Sequence, residues 1–133
     1  MNQRRTRPTG LLTDVELEFM TALWELGSGS VRDVLANLAP ERALAYTSAA
    51  TIMRILEKKG FVSSEKDGKT LIYRPTLAKD IYQTRSLKNL SAKLFDNTPE
   101  SLVARLVDDA GLSQETLEEI RALIDRRLRD ASD

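Results

Sequence analysis

The sequence predicts a mainly α-helical chain interrupted by one small β-hairpin. Three observations predict it. Apolar residues recur at three- and four-residue steps in three short segments between Thr13 and Lys59. The period then falls to two on either side of Asp67-Gly68, a dipeptide that favours tight hairpin turns. From Thr76 the helical period returns and runs to the C-terminus on faces rich in leucine.

The bulk numbers narrow the classes. At 133 residues the chain holds one domain or two small ones. A hydrophobic content of 41% suffices for a core, and with only 5% aromatics that core is mostly aliphatic. Cysteine and histidine are both absent, which excludes disulfides and thiolate or imidazole metal sites. It also removes the commonest general base and the thiol nucleophile. No apolar run approaches membrane-spanning length and the N-terminus lacks the apolar core of a signal peptide, so a soluble cytoplasmic protein without membrane partners is expected. Net charge is zero, but segment 46–75 holds six basic residues against three acidic ones, a modest positive patch in the first half.

Residues 1–10 carry three arginines, a proline and a glycine without apolar periodicity, and are expected to form a basic disordered arm. Such an arm either reaches DNA or serves as a solubilising tail. The first helix starts at the capping box Thr13-Asp14-Val15-Glu16, with Leu12 and Leu17 as its staple. Val15, Phe19, Leu23 and Leu26 form its buried stripe, Met20 and Trp24 lie at the edge, and Gly27-Ser28-Gly29 stops it. Ser30 and Asp33 cap a second helix with Val31, Val34, Leu35 and Leu38 inward, ending at Pro40.

The third helix covers Tyr46 to Lys59. Ala49, Ile52, Met53 and Leu56 make its apolar stripe, and Gly60 is placed to end it in a left-handed conformation. Its other face carries Thr47, Thr51, Arg54 and Lys58, with Ser48 and Ala50 beside them. Small polar groups followed by cations suit a helix whose first turns touch base edges while Arg54 and Lys58 reach phosphates or a guanine. A solvated outer face of an ordinary core helix has the same pattern. Strand-like runs Phe61–Lys66 and Thr70–Arg74 follow, with Lys66 and Lys69 at the hairpin tip and Pro75 closing the unit. Three short helices and a basic-tipped hairpin, in that order, make a winged helix-turn-helix domain over residues 11–75. Its third helix would enter the major groove of double-stranded DNA.

Residues 76–133 predict a helical dimerisation domain. A fourth helix carries Leu77, Ile81, Thr84, Leu87, Leu90 and Leu94. Thr98-Pro99 starts a fifth, with Leu102, Val103, Leu106 and Val107 on its apolar face before Gly111. Ser113 caps a sixth, with Leu117, Ile120, Leu123, Ile124 and Leu128. Under 60 residues of helix cannot bury that much aliphatic surface alone, so a second copy is the expected partner. A two-fold dimer would present two recognition helices to two half-sites. The alternative is that these helices fold back on the first domain. An enzyme reading has no support: the adjacent pairs Asp108-Asp109 and Glu118-Glu119 point apart on a helix, and there is no phosphate-cradling glycine loop, nucleophile motif or cofactor signature.

The run Leu12-Thr13-Asp14-Val15-Glu16 with Trp24, then Val31-Arg32-Asp33-Val34, then Ala45-Tyr46-Thr47-Ser48-Ala49-Ala50-Thr51 leading to Leu56-Glu57-Lys58-Lys59-Gly60-Phe61, resembles the penicillinase repressor family (BlaI/MecI/CopY). Ser101-Leu102-Val103, Leu112-Ser113 and Leu117-Glu118-Glu119-Ile120 resemble that family's C-terminal region. The resemblance implies a homodimeric transcriptional repressor that binds an inverted-repeat operator and often governs β-lactamase or resistance genes. It maps DNA contacts to Thr47, Ser48, Thr51 and Arg54, with Lys58 on their flank, and gives the wing Lys66, Lys69 and Arg74. Arg32 and Arg42, near the helix-turn-helix turns, are either phosphate contacts or surface charge. Tyr46 either hydrogen-bonds the DNA or packs under the turn.

In the family's best-known branch a sensor-protease pathway ends repression by cleaving the dimerisation helices at an Asn-Phe pair. Arg105-Leu106 stands at the matching bond here, a departure from that pattern. The copper-responsive branch uses a C-terminal cysteine motif, which this chain lacks. A second function class is a winged-helix protein-interaction module, which would require exposed Leu, Phe or Tyr on the outer face of the third helix.

Overall fold

The computed structural model describes residues 11–132, so the arm expected at 1–10 lies outside it. The element order is α1 (Asp14–Leu26), α2 (Val31–Ala36), α3 (Tyr46–Lys58), β1 (Val62–Asp67), β2 (Thr70–Pro75), α4 (Lys79–Leu94), α5 (Pro99–Asp109) and α6 (Gln114–Ser132). The chain is therefore mainly helical, with one antiparallel hairpin. It divides into two compact units, one ending at Ser86 and the other beginning at Leu87.

The first unit closes around a single core in which Phe19, Met20, Leu23, Val34, Met53, Leu56 and Phe61 are fully buried. Met20, expected at the edge of α1, lies in the centre, whereas Leu26 is 36% exposed. Both expected capping boxes form: Glu16 N–H donates to Thr13 Oγ1 at 3.2 Å, and Asp33 N–H to Ser30 Oγ at 3.1 Å. Each supplies a partner to an N-terminal amide the helix cannot satisfy itself. α2 stops at Asn37, earlier than Pro40, because the amides of Asn37 and Leu38 turn back to Val34 and Leu35 in tight three-residue steps. Gly60, at φ 90°, ends α3 in the left-handed region that glycine enters at no steric cost.

In the hairpin, Asp67 pairs with Thr70, so the connecting residues are Gly68 and Lys69 rather than Asp67 and Gly68. Gly68, at φ 66°, takes the first central position, where primed hairpin turns need a positive φ. A third segment joins the sheet edge. Gly29 and Tyr73 exchange both backbone hydrogen bonds, at 2.9 and 2.8 Å. The glycine-rich stop after α1 is thus also a one-residue strand that ties the wing to the helices.

The division between units falls inside α4, later than the expected boundary after Pro75. Trp24 Nε1 donates to Leu77 O at 2.8 Å, and Leu12 N–H donates to Tyr82 Oη at 2.8 Å. The Tyr82 ring lies 6.0 Å from both Trp24 and Phe61. These contacts draw the linker and the first turn of α4 into the first unit's core. Leu77, expected in the dimerisation face, is consequently buried there at 8% exposure and cannot serve a partner.

In the second unit, α5 and α6 contain no buried residue. Leu102, Leu117 and Ile120 are half-buried, while Val103, Leu106, Leu123, Ile124 and Leu128 are exposed. Thr98 takes the cap position of α5, but its hydroxyl does not bond the helix amides; it turns to Asp96 O at 3.4 Å. Ser113 does cap α6, accepting from Thr116 N–H at 3.1 Å.

Candidate nucleic-acid interface

The placement of α3 follows from its two faces. Ala49, Met53 and Leu56 are at 0% exposure, which fixes the rotation of the helix against α1, α2 and β1. Tyr46, Thr47, Ser48, Thr51, Arg54 and Lys58 are all exposed on the remaining surface. The C-terminal end of α3 is held by an ion pair that the sequence reading missed. Lys59 Nζ lies 2.8 Å from both carboxylate oxygens of Glu16, which also accepts from Thr13 N–H at 2.9 Å. Burial alone would raise the Glu16 carboxyl, yet its pKa is lowered, because the Lys59 and Thr13 bonds together outweigh desolvation. Lys59, part of the positive patch expected from the sequence, is instead neutralised by Glu16.

The polar groups of α3 are ordered among themselves. Thr51 Oγ1 donates to Thr47 O at 3.0 Å and accepts from Arg54 Nη2 at 3.1 Å. One edge of the Arg54 fork is therefore occupied and the rest of the guanidinium is left for an outside acceptor. The Arg32 guanidinium stands over the Tyr46 ring, 5.0 Å from its centroid. Tyr46 is 47% exposed, so it does not pack under the turn as a core residue.

Between α2, α3 and the wing runs an open groove of about 400 Å³, lined by Arg32, Tyr46, Arg54, Lys69 and Tyr73 among others. Burial holds the Tyr73 phenol above its ordinary value, so it stays protonated. On the wing, Lys69 sits in the turn and Lys66 pairs with Leu71 just behind it. Arg74 lies 3.5 Å from Glu65, an exposed pair too weak to withhold its charge from a stronger acceptor. Lys58, Lys66 and Lys69 have no carboxylate partner among the described residues.

The other expected contacts lie elsewhere. Arg42 forms a two-pronged pair with Glu18 on α1, at 2.9 and 2.6 Å. That pair holds the Glu18 carboxyl below its usual range and fastens the α2–α3 connection to α1, so Arg42 is not a free cation. Ile81, Leu87, Leu90, Leu94, Val103, Leu106 and Ile124 of the expected dimerisation set are exposed. Arg105, beside Leu106 in the middle of α5, is paired with Asp109 at 2.9 Å. Among the described residues there is no acidic cluster able to hold a metal ion, and no helix is long and apolar enough to cross a membrane.

Comparison with known proteins agrees with this geometry. The family model described as penicillinase repressor matches residues 12–126. The methicillin resistance regulatory protein MecI of Staphylococcus aureus (strain Mu50 / ATCC 700699) is 25% identical over 116 residues, 87% of this chain and 94% of that protein. The penicillinase repressor of Bacillus licheniformis is 23% identical over 114 residues, covering 86% of this chain and 89% of the other. Among solved structures, the DNA-binding domain of the repressor BlaI superposes with a TM-score of 0.50 at 25% identity, over 58% of this chain and 93% of that domain.

Proposed function

The chain belongs to the penicillinase repressor family, and from that premise we propose that it is a homodimeric transcriptional repressor acting in the cytoplasm. Its α3 would lie in the major groove of an inverted-repeat operator, with the wing on the adjacent backbone. The family consists of transcriptional repressors and not of enzymes. The observation that carries the proposal is the outer surface of α3, where Thr47, Ser48, Thr51 and Arg54 stand exposed and Arg54 shares a groove with the wing lysine Lys69. Hydroxyls and threonine methyls suit base edges, and the Arg54 donors that Thr51 does not occupy suit a guanine or a phosphate. Lys58 is exposed on α3, whereas Arg74 alternates with Tyr73 and so stands on the hairpin face away from the groove.

The dimer would form through the second unit, whose exposed Leu87, Leu90, Leu94, Val103, Leu106 and Ile124 need cover. Resistance and penicillinase genes, named in the relatives, are the first candidates for the regulated transcription units. Release by cleavage between Arg105 and Leu106 is not carried over, since the Asn-Phe pair is absent.

The protein-interaction reading finds less support. Tyr46 and Ile55 are the large apolar side chains left open on α3, at 47% and 41% exposure. They are separated by about 13 Å of helix rise and so do not make one patch, and Arg32 already covers the Tyr46 ring.

The test is anisotropy of a labelled duplex from upstream of the protein's own gene, titrated with the full chain at several salt concentrations. Binding is expected to fall steeply with salt, and Arg54→Ala is expected to weaken it at least about fivefold, the low end for loss of a specific base contact. Binding indifferent to Arg54→Ala would remove α3 from the interface.

A further inference from the structure

Two residues of the interface meet across two helices. Arg32 is on α2 and Tyr46 is the first residue of α3. The guanidinium stands 5.0 Å from the ring centroid, both side chains are exposed, and both line the groove shared with Arg54 and Lys69. No carboxylate among the described residues pairs with Arg32. The Tyr46 hydroxyl makes no hydrogen bond among the described residues either, so the ring face is what the tyrosine contributes here.

We propose that Tyr46 is a positioning residue for Arg32. Its ring holds the guanidinium at the lip of the groove, so that the N–H groups meet a DNA backbone phosphate beside the recognition helix. An unsupported arginine samples many rotamers and loses that freedom on binding. A ring beneath the cation restricts it beforehand and is worth about 0.5–1 kcal/mol at an exposed site. The ring makes no hydrogen bond to the cation and no carboxylate among the described residues pairs with it, so its N–H donors remain available to a phosphate. Arg32 is thereby a phosphate ligand, and the tyrosine hydroxyl is dispensable. This inference rests on the DNA-binding reading above.

The experiment uses the full chain and a fluorescein-labelled mixed-sequence duplex, because a phosphate contact does not depend on sequence. Wild type, Tyr46→Phe, Tyr46→Leu, Arg32→Ala and the double variant Arg32→Ala/Tyr46→Leu are compared across salt concentrations, with circular dichroism melts confirming that each is folded. Tyr46→Phe keeps the ring and is expected to bind like wild type. Tyr46→Leu is expected to weaken binding about two- to fivefold per protomer, the conversion of the stacking energy. Arg32→Ala is expected to reduce the log–log salt slope by about 0.9 per protomer. In that background Tyr46→Leu should change nothing more.

The inference is overturned if Tyr46→Phe is as weak as Tyr46→Leu, which would make the hydroxyl the contact. It is also overturned if Tyr46→Leu costs the same with and without Arg32. If wild type binds and Arg54→Ala weakens it while Tyr46→Leu does not, the DNA-binding reading stands and this inference alone is lost. If wild type binds no duplex, both fall.

Discussion

Glu16 does two jobs with one carboxylate. It closes the capping box of α1 and anchors Lys59 at the end of α3, so a buried charge at the start of α1 fixes the helix proposed to enter the DNA groove. The sequence made the first job legible, because a Thr-x-x-Glu spacing is local. The second depends on a contact between residues 43 positions apart and leaves no local trace. Its pH consequence follows from the sign of the shift. The folded carboxyl titrates below its unfolded value, so the pair's stabilisation is fully present above that unfolded value. It is lost as the pH falls through the folded one. Thermal melts between neutral and acid pH should therefore show a falling midpoint in wild type and a shallower fall in Glu16→Gln. Lys59→Met should cost about 1–3 kcal/mol at neutral pH, the range for a lost charge-assisted hydrogen bond that leaves its acceptor buried. Equal pH profiles for wild type and Glu16→Gln would mean the pair does not stabilise the fold.

At the scale of elements, the helices of the first unit and the hairpin were readable because their signals are periodic or local: capping boxes, an apolar stripe, a glycine placed to stop a helix. The errors lie where tertiary contacts decide. Gly29 belongs to the stop after α1 as the sequence predicts, but its backbone also pairs with Tyr73 and makes the edge of the sheet, which no local signal announces. Tyr82 lies off the expected stripe of α4, and its burial depends on Leu12, Trp24 and Phe61, none of them near in sequence. Leu77 was assigned to a partner for the same reason. The turn was misread by one residue, since Asp-Gly and Gly-Lys both allow a two-residue loop and only the strand register chooses. Gly68→Val forces a branched residue to a positive φ and should destabilise by about 1–2 kcal/mol, seen as a lower melting midpoint. Lys66→Ala with Lys69→Ala should leave the midpoint unchanged and reduce the DNA salt slope by about 0.9 for each lysine that touches a phosphate. An unchanged slope would take the wing off the backbone.

For the whole molecule, charge and apolar surface are divided between the two units. The first carries the cationic groove and a closed core; the second carries leucines without enough of its own chain to bury them. The sequence conveyed this division, because leucine-rich helical faces on a short segment are visible without a structure. It did not convey where one unit ends, since α4 contributes to both. On the proposed reading, a pair of second units sets the spacing of two α3 helices. Hydroxyl-radical footprinting of the full chain on DNA from upstream of its own gene measures that spacing directly. Two symmetric protected patches on one face of the duplex are expected, centred about one helical turn or a whole number of turns apart, and both lost in Arg54→Ala. A single patch, uniform protection, or two patches that persist in Arg54→Ala would contradict the proposed reading.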